Sequence, residues 1–164
     1  MDDTTYAGEP SLIELIRRGG AFRTIPGATP RELLANLIGT VDLPPPVNRQ
    51  ELLNAVLERE ALMSTAVGNG IALPHPRNPV IAESAGQFVS VAFAERGLDW
   101  EALDGKPVQT IMLIISASPK MHLHTLSRIN YFCQQRPFLD LLERRASPAE
   151  ILKLIEDTEK TWDK

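Results

Sequence analysis

The sequence predicts an α/β layer fold: one sheet in a single domain, with helices on both faces. Three observations carry that expectation. Ile111-Met112-Leu113-Ile114-Ile115 is apolar without alternation, as in a central strand covered on both sides. Helix-start signatures recur along the chain, at Ser11, Thr29, Asn48, Ser118 and Ser147, with β-rich runs interspersed. A chain of 164 residues that is 43% hydrophobic and 23% charged fits one compact domain with a full core.

The elements follow in order. Residues 1–10 are polar and small and read as a flexible lead-in; the domain spans 11–160. Ser11-Leu12-Ile13-Glu14 has capping-box spacing, and its helix stops at Gly19-Gly20. Ala21–Ile25 is a short strand ended by Pro26-Gly27. Thr29-Pro30-Arg31-Glu32 is a second box with proline at the first helical position, and that helix ends near Gly39. Leu43-Pro44-Pro45-Pro46-Val47 is a stiff connector within the domain.

Asn48 caps a third helix with Leu52, Leu53, Val56 and Leu57 as its buried stripe. At about 100° per residue, Arg59 lies on the flank of that stripe and Glu60 near its middle. An apolar-facing carboxylate needs a partner, because burying it unpaired is costly. Runs 87–94 and 108–116 are strands, the second preceded by the turn Asp104-Gly105. Ser118-Pro119 starts a helix to about Gln134; Arg136-Pro137 breaks it, and a short helical turn reaches Leu142. Ser147-Pro148-Ala149-Glu150 opens the closing helix, to about Lys160.

The stretch with the strongest chemical signal is Gly68-Asn69-Gly70-Ile71-Ala72-Leu73-Pro74-His75-Pro76-Arg77, preceded by Ser64-Thr65. Glycines such as Gly70 allow backbone angles closed to other residues, and prolines fix the chain on both sides of His75. Two readings remain open from these residues: an imidazole presented to a partner in one orientation, or a turn with a satisfied histidine.

A second pair, His122 and His124, falls in the first turn of the helix after Ser118. His122 lies within about 40° of Leu126, Ile129 and Cys133 and points inward; His124 lies at about 200° and points to water. Two histidines so placed cannot close on one ion, which disfavours zinc. An inward histidine at a helix N-terminus suits an anion, or else is a structural group bonded to a carbonyl.

Composition narrows the function classes. The net charge is -4 with a pI near 5.4, and no Lys/Arg stripe offers itself to a nucleic-acid backbone. No apolar run approaches the roughly 20 residues that span a bilayer, and Met1-Asp2-Asp3 is unlike a secretory signal. Cys133 is the only cysteine, so no internal disulfide forms. These features point to the cytoplasm. Walker and dinucleotide motifs are absent, and no cofactor or metal is expected.

The run at 68–75, with Glu58-Arg59-Glu60-Ala61-Leu62 and Ser64-Thr65 before it, resembles the IIA domains of the bacterial phosphoenolpyruvate-dependent sugar phosphotransferase system. The similarity is to the fructose/mannitol class, which includes the nitrogen-regulatory branch. It continues through Leu103–Val108, the strand to Ser116, His122-Leu123 with Leu126-Ser127, Phe138-Leu139 and the start of the Ser147 helix. It thus covers about residues 11–160.

The resemblance implies a mixed sheet flanked by helices on both faces. It implies that His75 takes a phosphoryl group at Nε2 from phosphohistidine on the carrier HPr or its nitrogen-branch relative, and passes it to a IIB domain or uses it as a signal to a regulatory target. His122 matches the second active-site histidine, and Arg59 an arginine near the site. An imidazole with a reference pKa of about 6.5 is largely neutral and nucleophilic near pH 7. Transfer is then mostly positioning and charge stabilisation, here by His122, the N–H groups of its helix, and Arg59 or the Thr65 hydroxyl.

One departure stands out. Most relatives carry glycine after the histidine, whereas this chain has Pro76-Arg77-Asn78-Pro79. Proline removes a backbone donor there, and Arg77 adds a positive charge that either meets the phosphoryl group or an acidic partner, or is only a solvated loop arginine. Two roles stay open: a relay intermediate feeding a sugar transporter, and a regulatory protein whose binding depends on its phosphorylation state. The absence of IIB and IIC domains from this sequence tilts the expectation towards regulation.

Overall fold

The unbroken apolar run at 111–115 lies in β5 (Val108–Ile115), the middle strand of a five-stranded sheet ordered β1-β4-β5-β3-β2. The computed structural model describes residues 9–162. The flanking strands are β1 (Arg23–Ile25), β2 (Ala66–Gly68), β3 (Ile71–Ala72) and β4 (Phe88–Leu98). The sheet is mixed: β1 is parallel to β4 and β3 parallel to β5, while the β4–β5 and β2–β3 pairs are antiparallel.

Both faces of the sheet are covered, which explains the missing alternation. On one face Val89, Val91, Met112 and Ile114 pack against α1 (Leu12–Gly19), α4 (Pro119–Cys133), α5 (Arg136–Glu143) and α6 (Pro148–Trp162). On the other, Ala92, Ile111, Leu113 and Ile115 meet α2 (Pro30–Thr40) and α3 (Arg49–Leu62). At about 25 cal/mol per Å² of apolar area removed from water, these two cores are the main favourable term. Gly19 permits the close seating of α1, because a Cβ there would fall 2.1 Å from the Val89 carbonyl oxygen.

All five expected caps form. The side chains of Ser11, Thr29, Asn48, Ser118 and Ser147 accept the backbone N–H three residues on. Each such cap contributes about 1 kcal/mol. Four expectations change. The turn after Arg136 is a two-turn helix, anchored by buried Phe138, Leu139 and Leu142. The closing helix runs to Trp162, and β4 extends to Leu98.

The fourth is β2, which sequence reading leaves out. Asn69 and Gly70 have φ of 56° and 78° and form a two-residue hairpin turn between β2 and β3. Such turns require two left-handed residues, and Asn-Gly is their strongest signature.

His124 does not point to water. Its side chain is 14% exposed and its Nδ1 lies 2.9 Å from Glu9 Oε2, in a segment that also buries Pro10. Helical periodicity places a residue relative to its own helix and carries no information about a distant segment laid across it. Residues 1–8 of the expected lead-in lie outside the described residues.

Glu159, which sequence reading passes over, joins α6 to α1. It is 3% exposed, and its carboxylate accepts the N–H groups of Leu12 and Ile13, both at 2.8 Å, and Arg128 Nη1 at 2.5 Å. Those N–H groups open α1 and have no partner within it. Glu159→Ala should therefore destabilise the protein by about 2–4 kcal/mol, since it strands two buried donors and leaves the half-buried Arg128 without its carboxylate. Urea unfolding with unchanged slope measures it; a loss under 1 kcal/mol would contradict the assignment.

Candidate functional site

β3 ends at Ala72, yet the chain keeps its register beyond it. Leu73 N–H donates to the Thr65 carbonyl at 3.0 Å, and Ile114 N–H of β5 donates to the Pro74 carbonyl at 3.0 Å. Pro74 and Pro76 are buried and His75 between them is half-buried. The imidazole therefore leaves the sheet at the carboxyl ends of the parallel strands β3 and β5. In open α/β sheets that end is where ligands bind.

His75 Nδ1 lies 2.8 Å from the Leu73 carbonyl oxygen. A carbonyl only accepts, so Nδ1 carries the hydrogen and the neutral ring keeps its lone pair on Nε2. The His122 ring stands beside it, with centroids 4.4 Å apart and planes inclined by 48°. His122 reaches this place because α4 begins directly after β5, and its inward orientation agrees with the helical reading.

The two rings share a pocket of about 290 Å³ with Arg59, Arg77, Ser116 and Leu123. Among the described residues, its lining holds two guanidinium groups and no carboxylate. Burial pushes the His75 pKa down from 6.5, and Arg59 adds to this; the Leu73 carbonyl and the Glu60 charge oppose it. His122 is pushed down to about 4, by burial first, then by His75 and Arg59. Near pH 7 both rings are neutral, so they approach without mutual repulsion.

The other singled-out residues divide. Arg59 lines the pocket and donates to the Met63 carbonyl at 2.8 Å, a backbone partner in place of a surface carboxylate. Arg77 lines the exposed mouth. Thr65 lies behind the pocket: it is 6% exposed, and its hydroxyl and N–H both donate to Glu60. The hydroxyl is committed and does not face the pocket, while Glu60 has the partner its position demanded. Ser64 donates to the Trp100 carbonyl and accepts Ala66 N–H, also away from the pocket. Gly70 shapes the hairpin turn, and its carbonyl accepts Gln109 and Thr110 N–H of β5.

The α4 N-terminus offers fewer donors than expected. Pro119 has no N–H, Met121 N–H goes to Ser118 Oγ, and His122 N–H closes the first helical bond to the Ser118 carbonyl. Ser116 and Leu123 line the pocket without having been singled out; no sequence pattern marks them apart from their nearness to Ser118 and His122. Among the described residues, no group of three or more His, Cys, Asp or Glu side chains gathers as a metal site, and no helix is long and apolar enough to cross a membrane.

Comparison with known proteins identifies the family of the chain. The chain is 33% identical over 126 residues to the nitrogen regulatory protein of Escherichia coli K12, covering 75% of this chain and 73% of the relative. It is 29% identical over 115 residues to the fructose-specific EIIABC component of Bacillus subtilis, covering 69% of this chain and 18% of that longer protein. The fold matches the nitrogen regulatory protein IIA-Ntr of Neisseria meningitidis with a TM-score of 0.72 at 20% identity, over 82% of this chain and 92% of the other. It also matches E. coli enzyme IIA of the mannitol system, solved in complex with phosphorylated enzyme IIB; there the TM-score is 0.62 at 20% identity, over 84% and 94%. The family described as "Phosphoenolpyruvate-dependent sugar phosphotransferase system, EIIA 2" matches residues 27–158, and the chain belongs to that family of phosphotransfer proteins.

Proposed function

We propose that this protein is a phosphoryl carrier that accepts its group on His75 Nε2 from phosphohistidine on an HPr-type carrier protein. The observation carrying this reading is the bond from His75 Nδ1 to the Leu73 carbonyl, which leaves the Nε2 lone pair for attack. The Nε2–P bond forms as the donor's P–N bond breaks, and the donor ring, protonated on its other nitrogen, leaves as neutral imidazole. No proton has to leave His75. Its phosphorylated ring keeps the Nδ1 hydrogen and a positive charge facing the Leu73 carbonyl, which preserves a high transfer potential.

His122 and Arg59 meet the charge on the equatorial oxygens, and Arg77 adds positive charge at the mouth. Charge-assisted hydrogen bonds of this kind contribute about 1.5–3 kcal/mol each. Onward transfer goes to a IIB domain in the transport reading. The similarity to nitrogen regulatory proteins supports a second, regulatory use, in which the added charge of about -1.5 to -2 alters contact with a target protein.

Labelled phosphate passed from phosphoenolpyruvate through enzyme I and a carrier should reach wild type and should not reach His75→Ala. His122→Ala should fold normally but accept label about 10- to 100-fold more slowly, matching the loss of one charge-assisted bond. Wild-type rates in His122→Ala would remove that ring from the mechanism.

The depressed pKa values give a sign for acid behaviour. Both rings are neutral in the folded state and accept protons more readily once unfolded, so their contribution to stability is complete above pH 6.5. It falls away as the pH drops from 6.5 towards about 4. In an NMR titration His75 should have a midpoint below 6.5 and His122 one near 4; midpoints at or above 6.5 would contradict the burial of the pair.

A further inference from the structure

We propose that Glu60 is a positioning residue for His75, acting through Thr65 and Leu73 to hold the ring with its hydrogen on Nδ1. The inference rests on the reading of His75 as phosphoryl acceptor only for its kinetic consequence; its structural content stands alone.

The path is short and unbroken. Glu60 closes the last turn of α3 and its carboxylate accepts both the N–H and the hydroxyl of Thr65, the N–H at 3.2 Å. The Thr65 carbonyl accepts Leu73 N–H at 3.0 Å, and the Leu73 carbonyl accepts His75 Nδ1–H at 2.8 Å. Each link donates towards Glu60.

The segment has few other anchors. Pro74 and Pro76 lack an N–H, and among the described residues backbone bonds reach the segment through Leu73 N–H and through the Pro74 carbonyl on β5. The β5 side is fixed by the sheet. The Thr65 side belongs to the edge hairpin, where β2 pairs with β3 alone, and Glu60 fixes Thr65 to a helix with two bonds. Without them Thr65 keeps only its hairpin and the neighbouring Ser64 bond to the Trp100 carbonyl, the Leu73 carbonyl shifts, Nδ1 loses a fixed acceptor, and the ring distributes its hydrogen over both nitrogens.

Glu60 and Arg59 are neighbours in sequence with opposite charges near His75, so the role of hydrogen bonding has to be separated from that of charge. Glu60→Gln removes the charge but retains an oxygen for Thr65 N–H and an amide for its hydroxyl. Glu60→Ala removes both. The deciding readout is the ¹⁵N–¹H correlation spectrum of the imidazole rings at pH 8, which reports the tautomer without any phosphoryl transfer.

Wild type and Glu60→Gln should show His75 as the Nδ1–H tautomer, and Glu60→Ala a mixture of both. Initial transfer from the phosphorylated carrier should fall at least tenfold in kcat for Glu60→Ala, with KM for the carrier unchanged, and recover to within about threefold in Glu60→Gln. An unaltered tautomer in folded Glu60→Ala would overturn the proposal, and so would a Glu60→Gln variant as impaired as Glu60→Ala, since charge would then be the operative property. Should Glu60→Ala fail to fold, Thr65→Val, which deletes only the hydroxyl link, decides: a partial shift in tautomer supports the path, and none overturns it. Failure of wild type to accept phosphate would count against the proposed function, while the spectra would still test the positioning.

Discussion

The Leu73 carbonyl oxygen accepts one hydrogen, and in doing so it assigns different tasks to the two nitrogens of His75. A free imidazole interconverts between two tautomers of similar energy, so a ring that must attack through one nitrogen spends part of its time in the wrong form. The 2.8 Å bond removes that ambiguity. It depends on Leu73 being held in place, with its N–H on the Thr65 carbonyl while the carbonyl of the next residue is bonded to β5. Much of the architecture near the site serves that immobility: a central strand covered on both faces, a tight hairpin at its edge, and two buried prolines on either side of the ring.

Electrostatics act on the same atoms. The pocket combines two depressed imidazoles with two guanidinium groups, and its positive character at neutral pH comes wholly from the arginines. Protonated rings 4.4 Å apart would repel each other, and a protonated His75 has no lone pair to offer. Burial thus keeps the His75 ring neutral with a lone pair, while the fixed cations favour an anion in the pocket without competing for its proton. A carboxylate in the lining would work against this. The acids nearest in sequence, Glu58 and Glu60, lie outside it, and Glu60 is occupied by Thr65.

Much of this was legible in the sequence. Helix starts were readable because caps are local: a side-chain oxygen three residues before its donor is written in the chain itself. The sheet's centre was readable from five apolar residues without alternation, and the fixed backbone on either side of His75 from its two prolines. The inward direction of His122 followed from helical geometry alone. What was not legible depends on segments that meet only after folding. Glu9 over His124, Glu159 across to α1, and the commitment of the Thr65 hydroxyl to Glu60 all couple groups whose proximity no period in the sequence records. The hairpin at Asn69-Gly70 is a different case: its signal is present in two letters, but β2 is only three residues long and too short to show alternation.

The staple between α6 and α1 has a consequence for how the molecule comes apart. Helices at the border of a domain can open locally, each independently of the other. Here the opening turn of α1 is capped by a carboxylate from the last turn of α6, so neither helix can peel away without releasing its counterpart. Local opening of α1 and of the end of α6 is thereby coupled through one joint.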